Sequence, residues 1–254
     1  MKTLRGYVAG LALMGAAVVG TSAPAAAQYN WGGLYGGVNA GWAGVDYSQQ
    51  WVFLLGPPGP EGTSVSPSKD EGILGGHIGL QHQFGTFVVG VEAAASSTAP
   101  FGNNLTSGPA NGTTFTSQLR LGTLYTVGGR LGWTPSSQWL LFVGGGFASA
   151  SINQKILSPT GVEDSTLATA ERHNGWYLGG GFEYALTSNW IVGLEYQHIA
   201  LDGEQHCRGP RISAGTCLGA GDNSTSRIDA DVDIVRARIS YKLGRPEPVA
   251  EPMK

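Results

Sequence analysis

GWYLGGGFEYALTSNWIVGLEYQHIALD, from Gly175 to Asp202, is the stretch on which the fold turns. Its first half, taken with period two, sets Trp176, Leu178, Phe182 and Tyr184 on one face and Tyr177, Gly179, Gly181 and Glu183 on the other. After a tight connection over Leu186–Asn189, Trp190, Val192, Leu194 and Tyr196 alternate with Gly193, Glu195 and Gln197. A water-soluble sheet hides its apolar face and wets its polar one. Here the opposite faces carry a carboxylate in mid-strand. Lipid outside, polar side chains inside and aromatics at the boundary are the pattern of a transmembrane β-barrel.

The same alternation recurs along the chain. Strand one, Gly33 to Asp46, opposes Leu34, Val38, Ala40 and Trp42 to Tyr35, Gly37, Asn39 and Gly41. Strand two, Gly72 to Phe84, opposes Leu74, Ile78 and Leu80 to His77, Gln81 and Gln83. A two-residue turn, Gly85-Thr86, leads into Phe87–Ser97, with Val89 and Val91 against Glu92. Strand four, from about 118 to 133, places Leu121, Tyr125, Val127 and Leu131 outward and Arg120, Thr126 and Arg130 inward. Strand five, Trp139 to Ser151, is apolar on both faces, and Trp139, Leu141, Val143 and Phe147 are assigned outward. The last strand, about 228 to 243, sets Val235, Ala237, Ile239, Tyr241 and Leu243 against Arg236, Arg238, Ser240 and Lys242.

The reading is all-β: an eight-stranded antiparallel up-and-down transmembrane barrel. Connections alternate long and short, with four long stretches near 47–71, 98–117, 152–174 and 203–227. Such loops would be out of place in a compact soluble domain. In an outer-membrane barrel the long ones are extracellular and the short turns periplasmic. Phe84 and Phe87, Trp133 and Trp139, and Tyr184 and Trp190 flank the three short turns and are expected to form the periplasmic aromatic girdle.

Composition agrees. Gly supplies 41 of 254 residues and charged residues 13 %, against a usual Gly share of about 7 %. No apolar run reaches the ~18 residues of a membrane helix. The N-terminus carries Lys2 and Arg5, an apolar core over Val8–Val19 and the small residues Ala25-Ala26-Ala27. That is a secretory signal peptide, expected to be cleaved after residue 27. The barrel is then expected over 28–244, with a Pro/Glu-rich tail at 245–254. With Lys2 and Arg5 gone, 13 basic residues face 18 acidic ones, a balance of −5. Nothing in this suggests nucleic acid.

Cys207 and Cys217 stand ten positions apart in one polar loop and are expected to pair in an oxidising compartment. The alternative, a metal held with His206, finds no further ligands at suitable spacing.

GWYLGGGFEYALTSNWIVGLEYQH, with GGRLGWTPSSQWLLFVGGGFA, FVVGVEA and WGGLYGGVNAGWA, resembles the small porin-like β-barrel surface antigens of alphaproteobacteria, relatives of the OmpA-type membrane domain. The resemblance covers essentially the whole mature chain and is weakest in the long loops. It implies an outer-membrane barrel with roles in envelope integrity and permeability. Such barrels usually end on an aromatic that the barrel assembly machinery reads. This chain ends its last strand Tyr241-Lys242-Leu243-Gly244, so recognition would rest on Tyr241 and Leu243.

By these phases Glu92, Arg120, Arg130, Glu183, Glu195, Arg236 and Arg238 point inward. An eight-stranded ring is just wide enough for side chains to fill it. The charges make either an ion-pair plug or the gate of a narrow wet pore. Lipid-modifying and omptin-type barrel enzymes need Ser–His or Asp–His sets. His198 has no evident Ser partner, and a solvated strand end accounts for Asp229, Asp231 and Asp233. His82, His173 and His206 are scattered, and no GxSxG or HExxH occurs. No enzyme, cofactor or metal is expected. The expected partners are outer-membrane lipids, lipopolysaccharide and the assembly machinery. The leading expectation is a structural surface barrel of the outer membrane; a small diffusion channel and a loop-mediated adhesin are the alternatives.

Overall fold

A computed structural model describes residues 29–54, 64–98, 105–109, 116–157, 169–206, 211–213, 216–217 and 224–243. The expected signal peptide and the C-terminal tail, and with them the domain boundaries, lie outside the described residues. Eight strands form one ring: β1 (Gly33–Leu54), β2 (Ser68–Phe84), β3 (Phe87–Ser97), β4 (Thr116–Ser136), β5 (Trp139–Leu157), β6 (Thr169–Ala185), β7 (Trp190–His206) and β8 (Ser224–Leu243). Short strands at Ser64–Val65, Leu105–Pro109, Arg211–Ser213 and Thr216–Cys217 lie in the connections. Each ring strand pairs antiparallel with the next. β1 closes on β8 by a ladder from Leu34↔Leu243 to Leu54↔Ser224. Closure removes the free edges that lipid could not satisfy.

The tightest turn follows from its residues. Phe84 pairs with Phe87 across Gly85-Thr86, and Gly85 takes φ +61°. Two-residue hairpins need this left-handed backbone, which glycine adopts without a steric penalty.

The strands run well past the limits that apolar alternation marks. β1 has 22 residues and β8 has 20, whereas a tilted membrane strand needs about 9–11. The extra length belongs to a second pattern. From Leu34 to Trp42 the exposed side chains of β1 are apolar. Beyond Trp42 the exposed positions become Asp46, Ser48 and Gln50, while Ala43, Val45 and Tyr47 turn inward and are buried. β8 inverts at the matching level. Val235, Ile239 and Tyr241 are exposed below, and Ile228, Val232 and Ile234 are buried above. The barrel is thus lipid-facing at its short-turn end and folds like a soluble barrel above it. Ser48 and Gln50, which fall in the expected loop, are strand.

The inversion builds a core inside the upper barrel. Val45, Tyr47, Ile73, Leu121, Ile152, Leu201 and Ile234 belong to one buried cluster there. Each such side chain withdrawn from water contributes about 1.5–3 kcal/mol.

A β-bulge corrects one face assignment. Leu121 pairs with Ile152 and Leu124 with Ala150, so Gly122 and Thr123 together face Ser151. The extra residue flips the phase of β4 above it. Leu119 and Leu121 are therefore buried in the lumen, and Arg120 lies on the outer face. Arg120 is not part of the interior network, and Leu121 is not an outward residue.

Candidate functional site

The lumen is filled in three layers. At the short-turn end the segment 29–32 folds back beneath the ring and buries Trp31 completely, against Val88, Leu140, Ala185 and Ile191. Side chains hold its backbone. The Gln81 amide donates to the Trp31 carbonyl at 2.6 Å, and the Trp31 N–H donates to Gln83 at 2.8 Å. Lys242 Nζ donates to the Asn30 carbonyl.

Above this floor lie three arginines and three glutamates, all drawn from the expected interior set. Glu92 Oε2 accepts from Tyr35 OH at 2.7 Å, Arg130 Nη1 at 3.2 Å and Arg238 Nη2 at 2.6 Å. Arg130 also grips Glu183, Nη2 to Oε2 at 2.9 Å. Glu195 Oε2 accepts from Arg236 Nε at 2.9 Å and Arg238 Nη1 at 2.7 Å, and Gln197 donates to its other oxygen at 2.9 Å. Phe142, an inward residue of β5, lies under the Arg130 guanidinium at 4.1 Å. With every glutamate ionised the six charges sum to zero.

Glycines on the facing strands make the room. Gly79 pairs with Tyr35, and a Cβ there would lie 2.3 Å from the tyrosine ring. A Cβ at Gly193 would come within 2.8 Å of the Glu183 side chain. The high Gly content of the chain is thus partly the space that long charged side chains occupy.

Magnitudes decide what the network does. A unit pair at ~4 Å is worth about 4 kcal/mol at an effective dielectric of 20. Taking each ion out of water costs several kcal/mol, so the net gain is small. What the network does accomplish is to tie β1, β3, β4, β6, β7 and β8 together across the lumen and occupy its section. The third layer is the apolar cluster described above, which covers the ionic one.

Of the other expected residues, Phe84, Phe87, Trp133, Trp139 and Trp190 are exposed around the short-turn end, with Tyr184 half-exposed. Trp139 meets Tyr184 with ring centroids 4.9 Å apart. Trp190 meets Tyr241 at 5.1 Å. Cys207 lies outside the described residues, as does the side chain of Cys217, and with them the expected disulfide. A second aromatic belt, Trp42, Tyr125, Phe147 and Trp176, is exposed where the strands invert. Its signal was present, because each of these residues sits at the upper limit of an outward apolar run.

A histidine pair was hidden by a second bulge. Leu201 pairs with Ala230 and Glu204 with Ile228, so β7 also changes phase. His206 thereby turns inward and meets His173, Nε2 to Nε2 at 3.0 Å, both buried. His173 Nδ1 lies 3.0 Å from the Asp202 carbonyl, which only accepts, so Nδ1 carries the proton and Nε2 accepts from His206. Burial holds the His173 pKa below its ordinary value. Of the three aspartates near the end of β8, Asp233 accepts from Tyr196 OH at 2.7 Å and faces His198 Nδ1 at 2.9 Å on the outer wall.

Known proteins align with this architecture. The 31 kDa outer-membrane immunogenic proteins of Brucella melitensis and Brucella suis are each 30% identical over 232 residues, covering 87% of this chain and 89% of theirs. The crystal structure of the outer membrane protein OprG from Pseudomonas aeruginosa superposes with a TM-score of 0.51 at 17% identity, over 86% of this chain and 99% of that one. Residues 13–243 match the family described as the outer membrane protein beta-barrel domain. The chain is a member of this outer-membrane β-barrel family.

Proposed function

We propose that the protein is a closed structural barrel that supports envelope integrity and presents its protruding strands and their connections to the outside. One observation carries this reading: the lumen is filled from floor to top by an apolar plug, a neutral ion-pair network and a second apolar cluster. The Brucella relatives are named as immunogenic outer-membrane proteins, which suits a surface-exposed role.

A narrow diffusion channel is the second reading. Among the described residues, buried polar atoms such as Asn39 Nδ2, His77 Nδ1, Arg130 Nε and Arg236 Nη2 lack a protein partner. A water file through them would still meet the apolar layers above and below, which favours the closed reading.

Swelling of proteoliposomes in small sugars tests the choice. The closed reading expects swelling no faster than that of empty liposomes. Swelling that increases with the amount of folded protein would refute it.

A further inference from the structure

On the outer wall, between β2 and β5, lies a groove of about 840 Å³. Its floor is low because Gly76, Ala93 and Ala95 point outward there. Ile78 forms one bank, and Tyr125, Val127 and Phe147 form the other. All of these bank residues are exposed in the apolar band.

The upper end of the groove is polar and positively charged. Arg172 of β6 lines it with Ser149 and Asn174, at the level of the second aromatic belt. Its guanidinium leans over the Tyr125 ring, 5.7 Å from the centroid, and reaches Ser149 Oγ at 3.4 Å. Ser149 in turn donates to Asn174 Oδ1 at 2.9 Å, so the cap is held in place. Arg120, put on the outer wall by the β4 bulge, stands one outward row higher, opposite Asn153 where Arg172 is opposite Ser151.

The rest of the wall at this height has the other sign. Asp46, Asp70, Asp231 and Asp233 face outward on β1, β2 and β8, with Arg227 further up. Asp46 and Asp231 are direct cross-strand partners. An anion at the membrane boundary is therefore drawn to the β4–β6 side, where the groove opens.

We infer that this groove binds one acyl chain of a phosphorylated lipid of the outer leaflet, with Arg172 holding the phosphate. The apolar trough matches a chain, and a guanidinium pairs with phosphate through two parallel N–H donors. An aromatic beside the cation at the interface completes an amphipathic site.

The test uses the full chain folded in detergent micelles and lipid A as the probe, with retained lipid read by native mass spectrometry. Dephosphorylated lipid A keeps the chains without the charge, and inorganic phosphate keeps the charge without the chains. The wild type should retain phosphorylated lipid A at least tenfold better than the dephosphorylated form, and phosphate should not displace it. Arg172→Ala should lose that preference, and Ala95→Leu, which fills the trough from outside, should lose retention. Heat-modifiable migration confirms that each variant is folded. Equal retention by wild type and both variants would mean ordinary annular lipid and overturn the proposal. Loss with Arg172→Ala but not with Ala95→Leu would also overturn it, since the groove would then hold no chain.

Discussion

Arg238 of β8 reaches Glu92 of β3, Nη2 to Oε2 at 2.6 Å, from three strands away around the ring. The same carboxylate oxygen takes Arg130 from β4 and Tyr35 from β1. Donors from three strands thus converge on Glu92, and its loss leaves three buried arginines facing two glutamates.

Glu92→Ala is therefore expected to lower unfolding stability by about 3–5 kcal/mol, as for other broken buried pairs. Replacing both partners, Glu92→Leu with Arg238→Met, should regain part of that loss. Urea unfolding in lipid vesicles measures both. A loss below about 1 kcal/mol for the single variant would show that the network does not depend on Glu92.

Gly79→Ala places a methyl group where the Tyr35 ring lies, 2.3 Å away. It should reduce the heat-modifiable folded form on detergent gels. Gly36→Ala is the control, because a Cβ there meets its nearest neighbour at 3.5 Å. Equal folded fractions would contradict the claim that interior glycines set the plug's space.

Trp31→Ala removes a fully buried side chain from the lumen floor. A loss of about 3–5 kcal/mol is expected. An unchanged unfolding midpoint would mean that the segment before β1 is not part of the folded barrel.

The pH dependence of the upper barrel follows from His173. Burial depresses its pKa in the fold, so below the ordinary histidine value of about 6.5 the unfolded chain binds the proton more readily. Stability contributed at this pair is present above that pH and falls as the medium is acidified. Asp202, Glu204 and Asp229 oppose the shift, the first through its carbonyl and the other two through charge. Hydrogen exchange at the upper ends of β6 and β7 should be faster at pH 5 than at pH 7.5, and His173→Leu should flatten the difference. A pH profile that the substitution leaves unchanged would remove the pair from the account.

Most of the barrel was legible because its lower half obeys one period. Leu34 to Trp42 and Val235 to Leu243 alternate without interruption, and their inward partners, among them Arg236 and Arg238, follow from phase alone. Three things were not. Above Trp42 the same period continues with polarity reversed, and Ser48 and Gln50 then look like loop although they are the outer face of a strand. Bulges shift the phase where local composition gives little warning. The one at Gly122-Thr123 moved Arg120 outside, and the one in β7 brought His206 to His173. Contacts across the ring, such as Arg238 with Glu92, join residues 146 positions apart in sequence. Phase puts both inside but cannot say which carboxylate each arginine takes.

Single-channel conductance in planar bilayers tests the central claim most directly, using refolded protein and a variant with Arg130→Ala and Glu183→Ala. The filled lumen predicts a silent bilayer for the wild type, with folding confirmed by heat-modifiable migration. Steady wild-type openings whose size changes in the variant would contradict it and make the charged layer a gate.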